Sequence, residues 1–209
     1  MAITFSDVVT TKDEIRSVLG EPRQNALDKV IGALDVHCRA FIAASPFVLI
    51  ATSDGMGNLD VSPKGDPAGF VHVLDDTMLA IPDRVGNRRA DTMLNIVETG
   101  RVGLLFLAPG KSETLRVNGH AQIVRDLWLR EQLAERGKMP DFAMIVTVEE
   151  AFVHCAKCMI RSNLWQPEAW PDVAELPSIA RMMLDQARPS ESLEELEAAV
   201  EESYRDRLY

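Results

Sequence analysis

Cysteine is scarce and odd in number, with three residues in a chain of 209. The opening stretch, "MAITFSDVVTTKDEIRS", does not have the charged and then apolar layout of a secretory leader. An odd cysteine count without an export signal predicts a reducing, cytoplasmic setting. Positive charge is short as well. Lys and Arg total 22 against 32 Asp and Glu, a formal net charge of −10. Nonspecific binding to nucleic acid or to an anionic membrane needs a positive field, so both are disfavoured. No run approaches about eighteen consecutive apolar residues, the length that would predict a transmembrane helix. Metal ligands in sets are missing too. Cys155 and Cys158 form a C-x-x-C, but a zinc site needs four ligands. Only Cys38 and the scattered His37, His72, His120 and His154 remain to supply them. A thioredoxin-like motif should open a helix after a strand in a βαβ unit, and the pattern around these cysteines is antiparallel β. Two small, partly buried side chains are the simpler expectation, with no metal.

Internal repeats and low-complexity linkers are also absent, and the length suits one good core. The expected organisation is one compact domain in three parts: a helical segment over 1–44, a β-rich body over 45–170 and a helical, acidic segment over 171–209. Thr11 and Asp13 can start a helix that Gly20 and Pro22 end. A longer helix is expected next, on the stripe Leu27, Val30, Ile31, Leu34 and Cys38. "FVLIATS" (47–53) and "GNLDVSP" (57–63) meet across Asp54 and Gly55, a hairpin signal. "FVHVL" (70–74) meets "TMLAI" (77–81), and "RVGLLFLAP" (101–109) meets "ETLRVNGHAQIVRD" (113–126). A helix over 127–137, anchored by Trp128, leads to "AMIVTVEEAFVHC" (143–155). Met78 and Met93 read as packing. Glu194, Glu195 and Glu197 read as a solvated helix face. Six or so short antiparallel strands with few helices between them predict a closed or partly closed β-barrel.

One stretch departs from the acidic background. "IPDRVGNRRADTMLNI" (81–96) holds Arg84, Arg88 and Arg89 within six positions. Ala90, Met93, Leu94 and Val97 then recur at helical spacing, predicting a helix from Arg88 to Thr99 with Asn87 as its cap and Gly100 as its stop. Cations in the first turn oppose the helix dipole, so a sequence selected for stability alone would put Asp or Glu there. Two readings stand open on the residues alone. An anion sits at that terminus, held by backbone N–H groups and forked guanidinium donors. Alternatively this is a solvated face, with Asp83 and Asp91 neutralising the arginines.

The order of "P-D-R-x-G-N-R-R-A", a helix, "R-V-G-L-L-F-L" and "T-L-R-V-N-G-H-A" resembles the FMN-binding split barrels related to pyridoxamine 5'-phosphate oxidase, over roughly residues 45–165. The resemblance implies a mainly β fold with flanking helices (α+β), a six-stranded antiparallel split β-barrel of the FMN-binding type. It implies a homodimer with FMN in clefts between subunits, and a phosphate held at Pro82, Asp83, Asn87, Arg88 and Arg89. Arg89 stands where the oxidases usually carry lysine. Ser62 and Lys64 share one strand face and match the strand that approaches the flavin, where Lys64 can balance negative charge at the N1–C2=O end of a reduced ring. A solvent-facing lysine before a turn competes with that role. Thr114 and Arg116 share a face of the strand that lies beside the cofactor in the oxidases, and a cross-strand ion pair competes for Arg116. His154 falls at about the position of a tryptophan in that family. Lys157 and Arg161 are spaced as one helical face, with Trp165 a turn on, and are expected to help close the pocket; a surface helix start is the alternative.

The oxidases bind the phosphate of their vitamin substrate with an Arg-x-His near the carboxyl end. Here the chain ends "YRDRLY", so pyridoxamine phosphate oxidation is not implied. The expected function is an FMN-dependent oxidoreductase acting on a small molecule, with a nicotinamide nucleotide or oxygen as second partner and no side chain nominated as general acid or base. The alternatives are a non-catalytic flavin-binding, storage or sensor protein, or a relative holding haem or a deazaflavin in the same cleft.

Overall fold

The computed structural model describes residues 2–209. Helix α1 (Lys12–Leu19) opens on Thr11, whose hydroxyl accepts from the Glu14 backbone N–H while the Glu14 carboxylate accepts from the Thr11 N–H. This reciprocal cap fixes the start, and Gly20 at φ +70° makes the stop. The longer helix expected on the Leu27–Cys38 stripe does not form. The chain makes a short α2 (Gln24–Asp28), then pairs Ile31 with Ala151 through two backbone hydrogen bonds, and only then enters α3 (Val36–Ala44) behind an Asp35 cap. Backbone pairing at Ile31 breaks the helical repeat. Leu34, Cys38 and Ile42 still reach the core, while Leu27 and Val30 stay exposed.

Among the described residues seven strands build one sheet: β1 (Phe47–Ser53), β2 (Leu59–Gly65), β3 (His72–Val73), β4 (Met78–Pro82), β5 (Arg101–Leu107), β6 (Thr114–Val124) and β7 (Ala143–His154). Their order is β2-β1-β5-β6-β7-β4-β3, with antiparallel neighbours throughout. All seven runs read from the sequence form strands, one above the round figure of six, and the run over 70–74 is cut to the two-residue β3. This is the antiparallel split-barrel architecture with flanking helices, and its hydrogen-bonded sheet does not close. The β1–β2 side and the β4 side of the sheet approach each other through side chains instead. Ile50 of β1 and Ile81 of β4 line one small cavity. Arg84, just past β4, donates to Asp66, just past β2, at 2.5 Å.

Strand alternation sets two faces. Val48 and Ile50 register with Phe106 and Leu104 on β5, and these with Leu115 and Val117 on β6. All six are buried and form the core with Leu34, Ile42, Leu79, Ile81 and Val146. Lys64 and Ser62 register with Val48 and Ile50, so both belong to this inner side. The row Pro63, Leu49, Leu105, Arg116 and Phe152 runs along the outer side. A bulge at Asn118–Gly119 lets β7 bend, and Gly119 is packed so closely that a Cβ there would lie 2.0 Å from the Thr147 carbonyl oxygen.

Helix α4 (Asp91–Thr99) crosses the inner side with Thr92 and Ile96 buried. Half of the stripe expected from sequence is turned outward, since Leu94 and Val97 are exposed while Ala90 and Met93 are half-buried. Hydrogen bonds explain the rotation: Asn95 Nδ2 donates to Thr52 Oγ1 at 3.0 Å and Thr99 Oγ1 to the Ser53 carbonyl at 2.9 Å. Helix α5 (Leu127–Gln132) is shorter than the 127–137 expected and is anchored by buried Leu129, with Leu133 just beyond, while Trp128 is exposed. Helices α6 (Lys157–Ser162), α7 (Ile179–Ala187) and α8 (Leu193–Asp206) follow. Beyond α8 the Tyr209 hydroxyl donates to Asp66 Oδ1 at 2.6 Å. Among the described residues no helix is long and apolar enough to cross a membrane.

Candidate functional site

A cleft of about 600 Å³ opens between the inner side of β2, the loop after β4, the start of α4 and the loop before β7. It gathers Ser62, Lys64, Asp83, Asn87, Arg88 and Arg89, six of the residues nominated from sequence. Pro82 is buried beside it and lines a small adjoining cavity with Lys64 and Asp83.

The arginines lie before the helix rather than in its first turn. Ala90 precedes α4 as the capping residue in a left-handed conformation, φ +59°, and Arg88 is left-handed too, φ +62°. Outside glycine such a conformation costs roughly 1–2 kcal/mol per residue. Asn87 does not cap the helix; its Oδ1 accepts from the Arg89 N–H at 3.0 Å and shapes the turn ahead of it. Among the described residues no side chain caps α4, whose start, Ala90 to Met93, lines the cleft, so the N–H groups of its first turn lack an internal acceptor there.

The three arginines have different surroundings. Arg84 is held by Asp66, whose side chain is only 2% exposed, and is a structural tie across the split. Arg89 pairs with Asp91 at 2.8 Å on the surface, as the solvated-face reading expects. Arg88 has no ion-pair partner among the described residues and is exposed. Asp83 pairs with none of them. Burial pushes its carboxyl above the ordinary value, with Asp141 acting the same way and Lys64 and Arg84 opposing.

Sequence reasoning missed the cleft floor. Asp60 accepts from Thr92 Oγ1 at 2.9 Å and from Ser62 Oγ at 2.9 Å, tying β2 to the start of α4. The alternation Asp60, Ser62, Lys64 on one strand face carried that signal. Asp66, Asp141 and Tyr209 gave no local signal, because their role is contact across the fold.

The remaining nominated residues are elsewhere. Thr114 is buried opposite His154, and Arg116 and His154 lie on the outer side of the sheet, around a hollow of about 330 Å³ that also takes in Leu49, Val61 and Leu105. The Arg116 guanidinium sits 4.2 Å from the Phe152 ring centre and Nη2 donates to Glu150 at 3.3 Å, the cross-strand pair that competed for it. Its Nε is nonetheless buried with no hydrogen-bond partner among the described residues. Burial first, and then Arg116 and Lys29, hold the His154 imidazole below its ordinary pKa. Lys157 and Arg161 are exposed on α6 and do not line the cleft. Cys155 and Cys158 are free and exposed, against the partial burial expected of them. Within one chain, therefore, the nominated residues fall on opposite faces.

The sequence model of the family described as pyridoxamine 5'-phosphate oxidase matches residues 34–155, more than half of the chain. The chain belongs to this family. The matched span covers both faces, from Leu34 through β7, and leaves out α1, α2 and everything from α6 onward. No curated protein matches. Among solved structures, a putative pyridoxamine 5'-phosphate oxidase from Lactobacillus delbrueckii subsp. is 22% identical, over 58% of this chain and 99% of that one, TM-score 0.46. HupZ of Group A Streptococcus is 20% identical over 57% and 92%, TM-score 0.47. An FMN-binding protein from Syntrophomonas wolfei subsp. wolfei is 13% identical over 69% and 94%, TM-score 0.45.

Proposed function

We propose that the cleft binds FMN and that the protein is an FMN-dependent oxidoreductase, working on a small molecule as a cytoplasmic homodimer. One observation carries this reading: unpaired Arg88, in a strained backbone, stands with Arg89 before the uncapped start of α4. Strain of this kind is retained where the surrounding structure uses it, and guanidinium forks beside free N–H groups suit a phosphate. Lys64 on the cleft wall is the cation that would balance negative charge on the ring. FMN, when bound, supplies hydride and electron transfer; the chain's own residues bind, orient and set the charge around it.

The dimer accounts for the division of the nominated residues. If the outer face of one subunit covers the cleft of the other, Arg116, His154 and the apolar positions Leu49 and Val61 come to the same ligand as Lys64 and Arg88. The orphaned Nε of Arg116 then has an acceptor to meet. Free Cys38, Cys155 and Cys158 support a reducing compartment.

The test is the purified protein itself. An oxidised-flavin absorption spectrum, FMN identified by mass, and oxidation of NADH or NADPH in its presence are expected. A haem or deazaflavin spectrum would overturn FMN, and bound FMN without turnover would leave a storage or sensor protein.

A further inference from the structure

From Ala2 to Val30 every residue is exposed, and α1 buries no side chain at all. This arm is nevertheless apolar along much of its length. Ile3 is 84% exposed, Phe5 80%, Val18 83% and Leu19 74%, with Val8, Val9 and Ile15 also open to solvent. Together these side chains present on the order of 1,000 Å² of apolar surface, whereas monomers rarely expose more than a few hundred in one patch. Each partner in a stable interface contributes about 800 Å², so the arm alone is large enough for one.

Its root is pinned beside the outer face of the sheet. Ile31 bonds Ala151, and Lys29 Nζ donates to the Val153 carbonyl at 2.7 Å. Phe152, between them, lines a hollow of about 440 Å³ with Lys29 and Ile31 and also stacks on Arg116 of the outer face. The arm is therefore continuous with the surface assigned above to the dimer. A membrane is a poor occupant, because α1 mixes Lys12 and Arg16 with Asp13 and Glu14 in a chain of net charge −10.

We infer that residues 2–30 form an exchange arm: each subunit lays its Ile3–Leu19 segment on the second copy of the chain, extending the interface made by the outer faces. The inference rests on the dimer reading and adds a contact outside the family-matched span, which starts at residue 34. Trypsin sites at Lys12, Arg16 and Arg23 report on it directly. In the full-length protein, cleavage at these sites should be at least tenfold slower in the dimer than after dilution to monomer, with sedimentation velocity defining both states. The triple variant Phe5→Asp, Val18→Asp, Leu19→Asp, at positions 74–83% exposed in their own subunit, should weaken dimerisation tenfold or more with an unchanged far-UV spectrum. A dimer whose arm is cut as fast as in the monomer, or one unaffected by the triple variant, overturns the arm and leaves the dimer standing. Arm protection that requires vesicles of phosphatidylglycerol also overturns it. A wild type that stays monomeric at all concentrations overturns the dimer reading and the arm with it.

Discussion

Arg88 is the residue where charge and backbone strain coincide, and the two effects can be separated. Glycine adopts φ +62° without the Cβ clash, so Arg88→Gly should leave stability unchanged or raised by about 1 kcal/mol. The same change removes one charge-assisted contact, worth about 1.5–3 kcal/mol, and so should lower FMN affinity roughly ten- to a hundredfold. Riboflavin, which lacks the phosphate, should bind as before. Arg88→Ala with Arg89→Ala should extend the FMN loss to roughly two to four powers of ten. Fluorescence titration of both flavins and thermal unfolding check this; equal losses for the two flavins would remove the phosphate site. Asp83 makes a second, pH-dependent prediction. Its folded pKa lies above the ordinary 3.8, so above that pH the unfolded chain releases the proton first. Stability then falls as pH rises from about 4 to the raised folded value and levels off beyond it. Asp83→Asn has no proton to release there. It should be the more stable protein at neutral pH, with the advantage shrinking toward pH 4, and urea unfolding of the apoprotein at both pH values is the measurement. Parallel pH profiles for variant and wild type would show that burial of Asp83 does not matter.

At the scale of elements, the β6–β7 bulge offers a sharp test. A Cβ on Gly119 would meet the Thr147 backbone, which cannot retreat without breaking the ladder, so Gly119→Ala should cost about 3 kcal/mol and roughly 6–12 °C of melting temperature. Gly103→Ala is the control: its Cβ would approach Asn118 Oδ1 at 3.2 Å, the end of a side chain that can turn away, and the loss should be much smaller. Equal losses would mean that the bulge adapts. The hairpins of the sheet were legible because turn residues and strand alternation are local signals, and Ser62 with Lys64 emerged from that alternation. The failures share a cause. Helical spacing over Leu27–Cys38 gave way to Ile31 pairing with a strand 120 residues on. Hydrophobic period placed Leu94 and Val97 inside, but α4 turns its hydrogen-bonding Asn95 and Thr99 to the sheet. The arginine cluster was visible as charge, whereas the tie that takes Arg84 out of it, Asp66 with Tyr209, joins positions 143 apart. Sequence periodicity reports on neighbours along the chain, and these contacts are not among them.

The whole molecule decides whether the two groups of nominated residues act on one ligand. In a dimer with two-fold symmetry, each proposed site takes its cleft from one subunit and its outer face from the other. Two defective proteins should then repair each other. Arg88→Ala with Arg89→Ala destroys the cleft, and Arg116→Ala damages the face. A homodimer of either variant has two damaged sites. A mixed dimer has one site with both lesions and one with neither, because the intact cleft of the Arg116→Ala subunit meets the intact face of its partner. Random reassociation of equal amounts makes half of the dimers mixed, so about a quarter of all sites should regain wild-type FMN affinity. Titration of a mixture unfolded and refolded together should show that high-affinity fraction, while the same proteins refolded apart and then combined at high concentration should not. If cleft and face served different ligands, or if the site were complete within one chain, co-refolding would restore nothing.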